Sequence, residues 1–249
     1  EAADDRIARL ATYARLPGLI REGMFGAVAE QDEGGQSPLQ HMRDVETAES
    51  GRLFAARGSV DLVFQGRDVR YNPASALTLD YADLETGDVR YAKDDQKLVN
   101  ALTSSRPGGA TQRVASASSM LAYGTYEPPA LELLKVTDLE VTDAAHWTIL
   151  RYADPAHELR NLPVEGGTLP LADYRALLGA DISSVLTVTD LPDQAPAPTV
   201  SLMVEGYTET ITEGQHRWDF YTSRAQTDAV WVLDDPVYSA LGTTTRLAY

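Results

Sequence analysis

The chain has 249 residues, 43% of them hydrophobic, enough to bury a core in one or two domains. Its 37 acids outnumber its 21 bases; the resulting charge of −16 argues against a grip on phosphate backbones, although not against DNA passing an acidic lumen without sticking. The lack of cysteine excludes disulfides, zinc–thiolate sites and thiolate-held iron–sulfur clusters, and no apolar run approaches the ~18 residues of a membrane span.

The stretch from Glu1 to Arg9 is too charged for a signal peptide, and an opening on Glu1 without Met fits a piece of a longer protein. Asp5 to Leu16 reads as a helix, because Ile7, Leu10, Ala11 and Ala14 draw one apolar stripe; Pro17-Gly18 ends it. A polar connection from Gln31 to Gln36 leads to a second helix start. Ser37 stands at the N-cap, Pro38 at the first position and Gln40 at the third, as a capping box. Leu39, Met42 and Val45 are its expected buried face, with Gly51 at its C-terminal cap.

Short strands follow. Arg52 to Ala56 and Ser59 to Gln65 flank an Arg57-Gly58 turn, and Val60, Leu62 and Phe64 alternate. Between Arg67 and Asp95 alternation weakens and turn signals multiply, at Asn72-Pro73 and Thr86-Gly87-Asp88. Leu98 to Arg106 is a strand ending at Pro107-Gly108-Gly109, and Gln112 to Ser116 pairs back onto it. Ala117 to Tyr123 reads as a short helix or an irregular turn. Leu131 to Val141 reads as a strand, after which Thr142-Asp143 caps a helix running to Ala153 and stopped by Asp154-Pro155. Glu158 to Val164 is a strand. Pro170 to Leu178 is a helix with Leu171, Tyr174 and Leu178 on one side, ended by Gly179.

The strongest alternation runs from Val185 to Thr222. Val185 to Thr189 is a strand; a loop from Leu191 to Pro198 leads to a long strand from Val200 to Thr212; Glu213-Gly214 turns the chain into a strand around Trp218. Val200, Leu202 and Val204 share one face, as do Trp218 and Phe220, while Gly206 marks a bulge or bend such as a small barrel needs at a corner. Ala229 to Leu233 reads as a last strand, and Asp234 to Tyr249 as a tail with a turn at Gly242. The fold class is α+β and β-rich, with small antiparallel barrel modules and a few short helices.

Little in the chain suggests chemistry. His41, His146, His157 and His216 are dispersed, with no i, i+4 pair for a helical metal site; His146 reads as a structural residue and His216, beside a turn, as exposed. The pairs Asp4-Asp5, Asp94-Asp95 and Asp234-Asp235 are sequence neighbours that point apart, unlike the facing carboxylates of a glycosidase. There is no Gly-x-Ser-x-Gly elbow, Ser104-Ser105 and Ser183-Ser184 lack a matched His-Asp order, and Gly108-Gly109 reads as a hairpin turn, not a phosphate loop. Trp147, Trp218 and Trp231 read as core; Tyr71, Tyr81 and Tyr91 read as ordinary strand packing, with sugar stacking as the alternative. No catalytic residue, cofactor or metal is expected.

One pattern spans most of the chain from about Asp5 onward. A strand, a Leu191-Pro192 loop, a strand reaching Val204-Glu205-Gly206, a turn and a Trp-bearing strand follow in order. Upstream lie Phe54 to Phe64, Leu98-Val99-Asn100, Arg106-Pro107-Gly108-Gly109, Ser118-Ser119 with Tyr123-Gly124, and the helix around Ala145 to Leu150. This series resembles phage minor tail proteins, the tail-tip or baseplate hub family of long-tailed phages. The motifs are short, and their shared order carries the likeness.

The resemblance implies a homotrimeric ring around the tail axis at the tip of a virion. It would touch the distal tail, other tip proteins and the tape-measure protein, with genomic DNA passing through the lumen unbound. It implies a helical and hairpin segment over 1–66, a mixed middle over 67–184, barrel strands over 185–233 and a tail over 234–249, with domains free to interleave. Interface residues are then expected on the barrel strands, at Val185, Thr187, Thr189, Val200, Leu202, Val204, Glu205, Gly206 and Tyr207, with the loop from Leu191 to Pro198 projecting towards a neighbour. The alternatives are a glycan-binding receptor module, which needs an exposed aromatic groove, and a cell-wall hydrolase, for which no constellation is present.

Overall fold

The structure is a computed structural model that describes the chain apart from residues 32–33, 85–88, 90, 93–95, 156–157, 226–229, 241–244, 246 and 248–249, and the side chains of residues 91–92. In chain order its elements are α1 (Ala3–Tyr13), β1 (Leu19–Glu22), α2 (Pro38–Glu49), β2 (Arg52–Ala55), β3 (Leu62–Gln65), β4 (Ser75–Asp80), β5 (Tyr91–Ala92), β6 (Ala101–Ser105) and β7 (Gln112–Ala115). There follow α3 (Ala117–Tyr123), β8 (Leu131–Glu132), α4 (Asp138–Tyr152), β9 (Glu158–Leu159), β10 (Asn161–Glu165), α5 (Leu171–Gly179), β11 (Val185–Thr189), β12 (Val200–Thr212) and β13 (Gln215–Arg224). The fold is α+β and β-rich. Two compact units, each made of two stretches, divide the chain: residues 1–71 with 98–154, and residues 72–97 with 155–248.

In the first unit, α1 buries Ile7 and Ala11 against Met42, Val45 and Ala48 of α2 and against Leu53 and Phe64 of the small sheet β1-β3-β2. Ala14 falls beyond the end of α1 and is exposed, because the chain turns away through a left-handed Arg15 at φ 56°. Ser37 caps α2 by accepting the Gln40 N–H at 3.2 Å, while the Gln40 amide donates to Asp44 at 3.0 Å. Leu39 extends the apolar stripe of α2 but is 55% exposed, since the first turn of that helix borders a cleft and not the packed layer. Residue Ser50, left-handed at φ 55°, is the C-terminal cap, with Gly51 next to it. The hairpin of β2 and β3 forms with a longer loop than expected, leaving Val60 79% exposed, and β1, too short to show a period, lies parallel to β3.

The other half of this unit is the sheet β7-β6-β8 with α4 packed on it through Leu102, Val114, Ala145 and Ile149. The turn at Gly108-Gly109 joins β6 to β7 as a hairpin. Helix α4 begins at Asp138, four residues ahead of its expected Thr142 cap and inside the expected strand from Leu131 to Val141. The reason is local: Thr137 and Glu140 form a complete capping box, the Thr137 hydroxyl accepting Glu140 N–H at 3.2 Å and the Glu140 carboxylate accepting Thr137 N–H at 2.8 Å. Arg106 reaches across to Asp138 at 2.6 Å, and a Cβ at position 109 would stand 2.5 Å from that carboxylate, so Gly109 is what lets the ion pair form.

Asn100 is fully buried and ties this half together. Its amide donates to the Ser119 hydroxyl at 3.2 Å and the Gly124 carbonyl at 2.7 Å, and its oxygen accepts the Tyr126 N–H at 2.8 Å. The Ser119 hydroxyl passes on to the Ala153 carbonyl at the end of α4. A second buried polar group joins other segments: Glu49, 1% exposed, accepts from Arg67 at 2.7 Å and from the Gly26 N–H at 3.2 Å. Burial pushes the Glu49 carboxyl above its ordinary range, against the pull of Arg67 and of buried Lys135. Burial likewise pushes the Lys135 ammonium down, against the pull of Glu49.

The second unit is built on the sheet β10-β13-β12-β11-β4, antiparallel except where β4 lies parallel to β11, beside the small pair β5-β9. Its inner face carries Leu77, Leu79, Leu162, Val164, Leu186, Leu202, Val204, Trp218 and Phe220, closed over by Leu177 of α5. Leu171, expected to line α5, is 63% exposed at its N-terminal end, and the fully buried residue is Leu177. Glu213-Gly214 makes a two-residue turn, Gly214 taking φ 79°. The ladder of β12 and β13 shifts register between Val204 and Gly206, which makes Glu205 the bulged residue.

The expected barrel is not closed. Among the described residues β4 and β10 are the sheet edges, and a single bridge between Leu84 and Val164 links them. Beyond β4 the chain enters a tight 3₁₀ turn at Tyr81–Asp83, so it reaches β10 at one residue instead of along a ladder. Pro163, which has no N–H to donate, fits the edge strand β10. The expected last strand also fails to form over its described part: the Val230 main chain bonds to the Asn72 side chain, Val232 N–H to the Tyr238 carbonyl, and the Trp231 indole N–H to the Ser239 carbonyl. The Gly242 and Thr86-Gly87-Asp88 turns lie outside the described residues.

Two predictions follow from the buried polar groups. Glu49→Ala leaves half-buried Arg67 and buried Lys135 without their carboxylate and is expected to lower unfolding free energy by about 3–5 kcal/mol, whereas Lys135→Met is expected to be neutral or stabilising. Urea denaturation of both variants checks this; equal losses would contradict it. Asn100→Ala is expected to lose about 2–4 kcal/mol and, in hydrogen exchange, the protection of the Tyr126 N–H. Retained protection at Tyr126 would sink that role.

Candidate functional site

The sequence places its candidate site on β11 and β12, and the structure sorts those residues by depth. Val185, Leu202 and Val204 are buried. Val200 packs at the edge of the same core, and Tyr207 lies 5.8 Å from the Phe220 ring. Thr187 and Thr189 are half-buried; the Thr187 hydroxyl donates to Ser75 at 2.9 Å, and that of Thr189 to the Leu79 carbonyl at 3.4 Å. Both hydroxyls thus stitch β11 to β4. Glu205 is half-buried and accepts from the Ser223 hydroxyl at 2.6 Å. Gly206 has no strained backbone, and a Cβ there would meet the Tyr221 ring at an ordinary 3.9 Å. The loop from Leu191 to Pro198 is closed at its base by the Leu191 N–H on the Pro198 carbonyl at 3.0 Å, with Ala195 against the core and residues 196–199 exposed.

A polar cluster at the far end of the same ribbon escaped the sequence reading. His216, expected to be exposed, has a side chain only 17% exposed. Its ring lies 3.8 Å from that of Trp218, with Nδ1 2.8 Å from the Tyr174 hydroxyl and Nε2 2.7 Å from Glu209. A carboxylate cannot donate, so the Nε2–H donates to Glu209, and Nδ1 pairs with the Tyr174 hydroxyl. The Glu165 carboxylate accepts the His216 N–H at 2.9 Å and the Gly167 N–H at 3.1 Å. Gly166 is required beside it, because a Cβ would stand 2.7 Å from Trp218 and 2.8 Å from Tyr174. The hydroxyl–imidazole–carboxylate series therefore clasps the β12–β13 ribbon to α5. Tyr174 and Glu165 lie 42 and 51 residues from His216 along the chain, beyond any local pattern, whereas Glu209 is only 7 away, across the Glu213-Gly214 turn.

The remaining candidates have structural roles. Asp4 and Asp5 both bind Arg21, at 2.7 and 2.8 Å, and Asp235 caps the Val237 and Tyr238 N–H groups. Asp94, Asp95 and His157 lie outside the described residues, as does the Tyr91 side chain. His146 is exposed on α4, Tyr71 packs on Trp147 at 5.6 Å, Tyr81 packs on the second unit's core, and Trp231 is half-buried, not core. Among the described residues no group of His, Asp and Glu could hold a metal ion, and no helix is long and apolar enough to cross a membrane.

Burial raises the Glu165 carboxyl, but the His216 and Gly167 N–H bonds, with Gln215 and the His216 charge, together hold the group below its ordinary value of 4.5. A carboxylate depressed in the folded state stabilises above that value, and the contribution is lost as pH falls through the folded one. Glu165→Gln is expected to cost about 0.5–1.5 kcal/mol at neutral pH and to flatten the acid limb of a stability–pH curve below about 4.5. Denaturant titrations at several pH values check this, and an unchanged acid limb would refute it.

No protein-family model matches the chain, and no curated protein matches it in sequence. Solved structures do. A 43 kDa tail protein of prophage MuSo2 from Shewanella oneidensis superposes at TM-score 0.61 with 12% identity, over 91% of this chain and 65% of that one. A tail protein from Neisseria meningitidis does so at 0.62 with 12% identity, over 92% and 69%. The prophage tail protein gp18 from Listeria monocytogenes matches at 0.51 with 10% identity, over 90% and 65%. The chain thus spans about two thirds of the length of these proteins. At such identities the likeness is one of architecture: this chain has the fold of phage tail proteins.

Proposed function

We propose that the chain is a structural component of a phage tail, working at the tip as a hub that rings the tail axis. The observation that carries this reading is the shared fold with three phage tail proteins over 90–92% of the chain. The order of sequence motifs supports the tip position. In this reading three copies surround the axis, seal the tube, meet the distal tail, other tip proteins and the tape-measure protein, and anchor the parts that attach to the host. The half-buried residues Thr187, Thr189, Val200, Glu205, Gly206 and Tyr207 lie towards the neighbouring copy, over a base formed by Val185, Leu202 and Val204. The charge of −16 suits a lumen that lets DNA pass without adhesion. The role is mechanical, and no residue is assigned to catalysis.

Gold-labelled antibody raised against the purified chain is expected to decorate one end of the tail, opposite the head, in electron micrographs of phage particles that carry it. Labelling along the tail shaft would overturn the tip position, and particles with no label after mild dissociation would overturn the structural role.

A further inference from the structure

We propose that the open edge of β12, from Thr208 to Thr212, is a docking strand to which a partner protein adds an extended segment. That segment carries an apolar residue and, two positions later, a basic one. The proposal concerns the second unit alone and holds whether or not the chain works in a tail.

The β12–β13 ribbon outruns its sheet. β11 pairs with β12 over Val200–Met203, and its approach ends at Val204, whose N–H reaches the Ser184 carbonyl at 2.9 Å and whose carbonyl accepts the Ser183 N–H at 2.8 Å. From Gly206 to Thr212, β13 is the one strand neighbour of β12 among the described residues. The two-residue turn decides which main-chain groups that neighbour uses. Thr212 and Gln215 flank the turn as a hydrogen-bonded pair, and so, at every second position, are Thr210 with Arg217 and Thr208 with Asp219. Glu209 and Ile211 fall between them, so their N–H and C=O groups point away from β13. No main-chain group among the described residues takes them up. Ile211 is 70% exposed, and Thr208, Thr210 and Thr212 are exposed beside it.

Sheet edges are ordinarily blunted against such additions by Pro, by Lys or by a covering contact. The edge strand β10 is blunted, with Pro163 in it and Leu84 bridged to Val164. Thr208 to Thr212 holds neither Pro nor Lys and is made of Thr and Ile around one Glu, residues that mostly favour strands. The ribbon is also braced, since Glu209 takes the His216 Nε2–H, and His216 stacks near Trp218 and pairs with Tyr174 of α5. A template already in place lowers the cost of ordering an added strand. The side chains then select the occupant. In an antiparallel addition an apolar residue opposite Ile211 gains burial, and Thr opposite Thr210 makes a favourable pair. Two residues beyond the apolar one lies the position facing Glu209, which is engaged by His216 through one oxygen and is 26% exposed, so a base there has a carboxylate oxygen to meet. A second copy adding through the same edge supplies no such base, because β12 contains neither Lys nor Arg.

The test is NMR titration of the intact chain with the peptide acetyl-Thr-Val-Thr-Lys-Thr-amide, whose Val would face Ile211 and whose Lys would face Glu209. The same peptide N-methylated at Val, and one with Glu in place of Lys, serve as comparison probes. The expected result is saturable shifts at Glu209, Thr210 and Ile211 with slowed hydrogen exchange of the Ile211 N–H. Binding is expected to weaken about tenfold for the N-methylated peptide and in Ile211→Pro, which removes one outward N–H in a way edge strands tolerate. It is expected to weaken about fivefold for the Glu peptide. The peptide probes carry the test if Ile211→Pro does not fold. Five results would overturn it: no saturation, equal binding of the N-methylated peptide (no strand addition), equal binding of the Glu peptide (no part for Glu209), unchanged affinity in a folded Ile211→Pro, or shifts at Ile211 on dilution of the chain alone (a second copy on the edge).

Discussion

Two aromatic side chains with no exposure, Trp218 and Phe220, set the geometry of the second unit. They sit two residues apart on β13 and point into one core, so their strand tolerates a single register. A slip of one residue would turn both to solvent, at a cost of about 3–5 kcal/mol for each large side chain removed from the core. The tight turn at Glu213-Gly214 sets that register from one end, and the bulge at Glu205 absorbs the extra residue further along β12. The clasp of Glu165, His216, Glu209 and Tyr174 forms where this ribbon passes α5, because Gly166 lets the Trp218 ring come close.

The first unit is held together differently, by buried polar groups that each need every partner. Asn100 serves main-chain groups at Gly124 and Tyr126 and the hydroxyl of Ser119, and Ser119 serves the end of α4. Arg106 and Gly109 together hold the start of that same helix. These are among the residues on which the resemblance to tail proteins rests. This part of the loose motif thus has a physical content: Asn100, Arg106, Gly109 and Ser119 sit where the backbone of one half of the unit is satisfied.

What the sequence showed and what it hid divide along the range of the interaction. The strands β11, β12 and β13 were legible because alternation, a Gly turn and a Pro loop are local signals. The Ser37 cap was legible for the same reason. The start of α4 was also local, in the Thr137-x-x-Glu140 box, but the β-like run around it outweighed that signal. Leu39 and Leu171 were misread because spacing tells which residues share a stripe, not where the packed layer stops. Trp231 was misread because hydrophobicity alone does not report a strand without a partner. The His216 clasp and the Glu49 network join residues from distant elements, and nothing in the separate segments announces them.

A shared fold does not by itself give a shared task. Here the shared fold and the motif order are what the proposed structural role rests on. The most direct measurement is the mass of the purified chain in solution by light scattering, with negative-stain images of the same sample. The account predicts a particle of three times the 27.1 kDa chain with a hole at its centre. A monomer that persists at high concentration, and stays monomeric when mixed with its distal-tail neighbour, would contradict it.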